Sequence, residues 1–220
     1  MKVYLSPSNQ TENLYAYAET NEGVQCGRIA EACKAALARS GVGVMLGHMK
    51  SMQEKVQESN SYGADLHVCI HTNAFNGQVS GTRMFCFNEN GNGMKACKAI
   101  FNRLAPITPG TSENIRVNAK LYEVRVPAAP TAYIEVDFHD VPSVAQWIVE
   151  NVNLIGETIA QGICDYFGIA YKPPVPASKD SVLYKVQLGA FAVRSNAEKM
   201  LTRLKAAGFD GYIKEEKKES

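Results

Sequence analysis

No stretch of this chain is apolar for long enough to cross a membrane, and neither sign of charge dominates it. A membrane span needs about 20 predominantly apolar residues, and none occurs. Lys and Arg number 23 against 22 Asp and Glu, a formal net charge of +1, so the basic footprint of a nucleic-acid-binding protein is missing. Neither membrane insertion nor a nucleic-acid partner is expected. No secretory leader is expected either, because MKVYLSP reads as entering a strand at once instead of a basic segment followed by an apolar one. The expectation is synthesis in the cytoplasm without a classical signal peptide, and release by another route. The six cysteines (Cys26, Cys33, Cys69, Cys86, Cys97 and Cys164) show no CxxC or other zinc-like spacing. Several fall at apolar positions of predicted elements, where they are expected to be free thiols behaving as small core hydrophobes.

What is present is enough apolar residue for one sizeable core. The chain has 220 residues, 45% of them hydrophobic, which leaves room for a small appended module. Alternation predicts strands over residues 2–5, 42–46, 65–70, 82–87, 121–126 and 131–138. Helical periodicity predicts helices over 22–38, 51–61, 93–104 and, as one long element, 144–167. Residues 106–118, polar with Pro and Gly, are expected to form a functional loop. Strands alternating with helices imply an α/β fold, a layered, twisted, mostly parallel sheet flanked by helices. The composition then changes. A Pro-rich segment over 171–181 is expected to be a linker, and residues 182–220 a small β-α-β module. Its predicted elements are a strand over 183–191, a helix over 195–207 capped by Ser195 with Glu198, and a strand over 209–215. The expected organisation is therefore a catalytic domain over 1–170, a linker over 171–181 and a module over 182–220.

Four features could converge on one site. The strand 65–70 stops at His71, Thr72 and Asn73, and ligands in open α/β sheets gather beyond the carboxyl ends of strands. His71 is therefore a candidate metal ligand, or else a hydrogen-bonded strand end. His67, four residues earlier, suits a packed core position better. Glu22 opens the first helix, where a carboxylate either serves the helix dipole or holds a metal. Glu135 lies inside the apolar run AYIEVDF. Burial there would raise its pKa toward that of a general base near neutrality, unless an arginine such as Arg125 pairs with it. Asp137 and His139 follow at strand spacing. Finally, strand one ends in Ser8-Asn9-Gln10, whose amide oxygens are weak metal ligands. A histidine and two glutamates so placed suit metal-assisted hydrolysis of an amide.

These residues resemble a known family. DLHVCIHTNAFNGQVSGTRMF and APTAYIEVDFHD are similar, in order and spacing, to blocks of the zinc-dependent N-acetylmuramoyl-L-alanine amidases of the amidase-3 type. The resemblance covers roughly residues 1–169. It implies cleavage of the amide between N-acetylmuramic acid and L-alanine in peptidoglycan. It also implies a Zn2+ cofactor, Glu22 and His71 as zinc ligands, and Glu135 as catalytic acid/base. Asn73 and Arg125 are the candidate substrate contacts. One departure stands out. The family carries GHGG after the first strand, its histidine being the first zinc ligand, and this chain has Ser8-Asn9-Gln10 there. Gln10 is the favoured replacement, with Asn9 and His139 as alternatives.

YKVQLGAF and LKAAGFDGYI resemble half of a SPOR module, which binds peptidoglycan. A lone β-α-β unit is too small for an adequate core, so two chains are expected to pair their halves in a homodimer. The function expected is that of a phage or prophage endolysin, or of an autolysin, acting at the cell wall after release. The alternatives are a catalytically impaired wall-binding protein and a metal-dependent peptidase on the same fold.

Overall fold

The computed structural model describes residues 1–175, 187–206 and 208–215, which fall into two compact units, Met1–Pro174 and Val175–Ser220. In the first unit six strands form one sheet: β1 (Lys2–Pro7), β2 (Gly43–Leu46), β3 (Leu66–Asn73), β4 (Arg83–Cys86), β5 (Asn114–Val117) and β6 (Thr131–Phe138). Their order is β2-β1-β3-β6-β4-β5. All neighbours run parallel except β4 and β6. The helices are α1 (Glu22–Arg39), α2 (Met52–Tyr62), α3 (Asn92–Leu104), α4 (Tyr122–Arg125), α5 (Pro142–Glu150) and α6 (Val152–Phe167). This is the layered, mostly parallel α/β sheet that the sequence implied. Among the described residues, no helix is long and apolar enough to cross a membrane.

The sheet has two unlike faces because side chains alternate along each strand. One face carries Val3, Leu5, Val68, Ile70, Ala132 and Ile134, all buried in the main core with α1, α3 and α6. The other carries Tyr4, Ser6, His67, Cys69, His71, Tyr133 and Glu135. The register places Tyr4 beside His67, Ser6 beside Cys69 and His71 beside Glu135. Lys55 and Ser59 of α2 and Glu123 of α4 are buried, and they make hydrogen bonds to this second face. A polar stripe thus runs down the middle of the sheet, closed at one end by these helices.

Several elements differ from the sequence expectation. β3 does not stop at His71 but runs through Asn73, because β6 continues beside it and supplies backbone partners to that point. Residues 121–126 are not a strand but contain the helical turn α4. The expected loop 106–118 holds edge strand β5. The single helix 144–167 is two, broken at Asn151, whose side chain donates to the Trp147 carbonyl at 2.8 Å. The six cysteines are free and buried, as expected.

In the second unit, helix α7 (Arg194–Ala206) begins one residue before its expected cap, Ser195, and Glu198 pairs with Arg194 at 2.9 Å. Gly208 takes the left-handed conformation (φ 82°) expected after the helix stop. The strand predicted over 209–215 is not formed. Residues 187–191 are not extended into a strand, and the rest of that predicted strand lies outside the described residues. Parallel strands joined by one helix have too little sheet around them to hold.

Candidate functional site

Glu22 is the first residue of α1, fixed there by Asn21, whose side chain accepts the Val24 N–H at 3.0 Å. Its carboxylate is buried and meets His71 Nδ1 at 2.9 Å through Oε1. Asn13 Nδ2 donates to the other oxygen, Oε2, at 2.7 Å. The burial raises the cost of ionisation, but hydrogen bonds from His71, Asn13 and Ser8 outweigh it and hold the carboxyl below its usual range.

The loop after β1 is brought to the same point. Asn13 Nδ2 also donates to Gln10 Oε1 at 2.9 Å, so one amide bridges Gln10 and Glu22. Gly23 N–H donates to the Gln10 carbonyl at 3.0 Å, and a Cβ on Gly23 would lie 3.3 Å from the Asn9 carbonyl carbon. A glycine there lets the loop close onto the start of α1. Asn9 points elsewhere, donating to the Lys50 carbonyl at 2.9 Å.

Glu135 stands beside His71 on the neighbouring strand. Its Oε2 is sealed from solvent with no hydrogen-bond partner among the described residues, and so is His71 Nε2. Burial pushes the Glu135 carboxyl up to about 8, the negative charge of Glu22 adds to the rise, and Arg83 opposes it. Arg83, opposite Glu135 on β4, is the cation that faces it. Arg125, weighed as its partner from sequence, is exposed on α4. Tyr133 stacks on His71, ring centroids 4.6 Å apart, and so fixes the plane of the imidazole.

His139 is buried just beyond β6. Its Nδ1 lies 2.9 Å from Thr72 Oγ1, which also lies 2.9 Å from the Tyr15 hydroxyl, and its ring stacks on Tyr15. Asn73 is half-buried at the end of β3, and its carbonyl accepts the His139 N–H at 2.8 Å. The structure therefore groups Glu22, His71, Glu135 and Gln10. His139 is held by Thr72 and Tyr15, Asn9 by the Lys50 carbonyl, and Arg125 is exposed on α4. Asn13 and Tyr133 escaped the sequence reading, and Arg83 was one of several basic and aromatic residues that nothing in the sequence ranked. Only the fold brings them to this point, although Asn13 follows Gln10 by three residues in a polar loop.

A second group of metal-capable side chains lies deeper along the stripe. The donor atoms of His67, Cys69 and Glu123 fall within 4.8 Å of one another. Each already has a protein partner. His67 Nδ1 lies 2.9 Å from Ser59 Oγ and its Nε2 lies 3.2 Å from Glu123 Oε1, while Ser6 and Cys69 both donate to that same oxygen. Lys55, buried close by, donates to the Pro7 carbonyl at 2.5 Å. Burial works against the Glu123 charge, but the hydrogen bonds from His67 and Ser6, helped by Lys55, hold its carboxyl below the usual range. A buried charge so compensated is a finished network. The open donors lie instead at His71 and Glu135.

Residues 14–165 match the Amidase_3 family model, described as N-acetylmuramoyl-L-alanine amidase. The chain belongs to this amidase family. The match begins four residues after Gln10, within the loop between β1 and α1. A SPOR-domain model matches residues 170–220. Among curated relatives, a sporulation-specific N-acetylmuramoyl-L-alanine amidase of Bacillus subtilis is 24% identical over 163 residues, 74% of this chain and 62% of that protein. The chain thus spans less than two thirds of that relative. The catalytic domain of the amidase CwlV from Bacillus (Paenibacillus) polymyxa superposes with a TM-score of 0.68 at 17% identity, over 77% of this chain and all of that one. An amidase from Clostridium difficile 630 gives 0.68 at 20% identity, over 76% and 96%. At these identities the superpositions establish a shared fold.

Proposed function

We propose that the chain hydrolyses the amide between N-acetylmuramic acid and L-alanine in peptidoglycan, with Zn2+ held by Glu22, His71 and Gln10. The observation that carries this reading is the pairing of Glu22 and His71 at 2.9 Å beside an unpartnered, protonatable Glu135. The donor set is of the N/O type that zinc takes, with the Glu22 carboxylate facing His71 Nδ1 at 2.9 Å and Gln10 Oε1 tied to Glu22 through Asn13. When bound, the ion lowers the pKa of water and polarises an amide carbonyl.

The chain's own residues do the rest. Asn13 keeps the Gln10 and Glu22 side chains turned toward one another. Tyr133 fixes the His71 ring. Glu135, with its pKa lifted into the neutral range, takes a proton from the attacking water and returns it to the leaving amine, which cannot depart without one. Asn73, at the end of β3, contributes a polar contact for the substrate, and Arg125 a second from α4.

The experiment is digestion of purified peptidoglycan with and without chelator, followed by end-group analysis. The expected products are free lactyl groups on muramic acid and free L-alanine amino termini, both suppressed by chelator. New internal peptide termini would mean a peptidase, and no release a wall-binding protein. The activity suits an endolysin or autolysin reaching the wall after release.

The C-terminal unit supplies attachment to peptidoglycan, and two chains pair through it. Among its described residues there is one helix and no strand, while Leu188, Phe191, Val193, Phe209 and Tyr212 are all exposed. A second copy would supply the missing sheet and cover them, and two linked catalytic units would gain avidity on a polymer. Sedimentation of the full chain at micromolar concentration is expected to give a dimer, and of residues 1–174 a monomer. A monomeric full chain would contradict the pairing.

A further inference from the structure

Cys86 ends β4 and Cys97 lies in the second turn of α3. Neither has a part in the amidase reading. Both are buried free thiols. Two distances put α3 directly on this end of β4. A Cβ on Gly93 would lie 3.5 Å from Cys86 Cβ. Cys97, one turn along the same helix face, has its Sγ 3.4 Å from the Phe85 carbonyl oxygen. An open cleft between α3 and β5, lined by Met94, Lys98, Ile115, Arg116 and Val117, runs alongside. Val117 is the strand partner of Cys86, and the Arg116 carbonyl oxygen lies 4.0 Å from its Sγ. The cleft therefore passes beside the strand partner of Cys86 while both cysteines stay buried.

The two thiols are unlike. The neighbouring Cys97 thiol lowers the pKa of Cys86 against the effect of burial, with the Asn88 contact and the Lys98 ammonium assisting, while the Cys86 thiol and burial raise that of Cys97. Burial also pushes up the thiols of Cys26, Cys33, Cys69 and Cys164. The thiolate is the reactive form, so Cys86 is the nucleophile of the set and Cys97 the thiol placed to resolve it.

We propose that Cys86 and Cys97 form a redox-modification site, reached by a small peroxide through the α3–β5 cleft and closing to a disulfide between β4 and α3. The Cys86 thiolate attacks one oxygen of hydrogen peroxide, and the O–O bond breaks. The departing hydroxide takes up the proton lost by Cys86 and leaves as water, so Cys86 becomes a sulfenic acid. The Cys97 sulfur then attacks the Cys86 sulfur, the S–O bond breaks, and the oxygen leaves as a second water carrying the Cys97 proton. Two thiols and one peroxide give one disulfide and two waters.

The test treats the folded full-length chain with hydrogen peroxide, then denatures, alkylates and maps it. The expected product is about 2 Da lighter, with one cross-link joining Cys86 to Cys97 and four cysteines still alkylated. A Cys97→Ser chain is expected to stop at a sulfenic acid on Cys86, trapped by dimedone. The wild-type map decides the matter even if that variant fails to fold. Six alkylated cysteines after peroxide, a cross-link between any other pair, or over-oxidised Cys86 beside an alkylated Cys97 would each overturn the proposal.

Discussion

Glu135→Gln is expected to slow peptidoglycan hydrolysis by about a thousandfold while leaving the fold and the bound metal intact. The substitution keeps the shape of the side chain and removes only its ability to carry and release a proton. Glu135 is not among the proposed ligands, so metal content should not change. The pKa of about 8 makes the pH behaviour specific. In the metal-free chain, native Glu135 holds a proton between its ordinary value near 4.5 and about 8, whereas the unfolded chain has already released it. The native state binds more protons in that window, so stability falls as pH rises through it and levels off above about 8. Thermal melts of metal-free wild type from pH 5 to 9 should show this decline, and Glu135→Gln should flatten it. Half the wild-type rate retained by Glu135→Gln would refute the acid/base role.

His71→Ala is expected to remove both metal and activity, because it deletes the strongest donor of the set and takes from the buried Glu22 carboxylate the partner of its Oε1. Gln10→Ala should weaken metal binding by at least about tenfold, because it removes a proposed ligand and even the loss of a supporting group costs that much. His139→Ala should leave metal binding unchanged, because the His139 imidazole is engaged with Thr72 and Tyr15. Metal titration of the three variants is the measurement. Full occupancy in both Gln10→Ala and His139→Ala would mean that neither supplies the third ligand.

The fold class was legible because long elements carry strong periods. Cys26, Ile29, Cys33 and Leu37 mark the buried side of α1, and the apolar run of β6 could be read directly. Short elements were misread for physical reasons. Leu121 to Val126 alternates, but over six residues a period of two also suits a single helical turn, and the burial of Glu123 and Val124 belongs to the turn. β5 was hidden because an edge strand is half exposed and carries Asn114 and Arg116 like a loop. β3 was cut short at His71 because a polar residue usually ends a buried strand, whereas here the whole face is polar. The same face explains what was legible of the site. His71 and Glu135 stand out because each interrupts an apolar pattern, and Glu22 because it opens a helix. Asn13 and Arg83 interrupt nothing, so only the sheet order and the closing of the β1–α1 loop bring them there.

Anomalous diffraction from crystals grown with zinc tests the central claim most directly, because it locates the ion without reference to activity. The account predicts one strong peak in coordination contact with His71, Glu22 and Gln10, with Glu135 facing it and not bound. A peak at His67, Cys69 and Glu123 in its place, or none at His71 under saturating zinc, would contradict it.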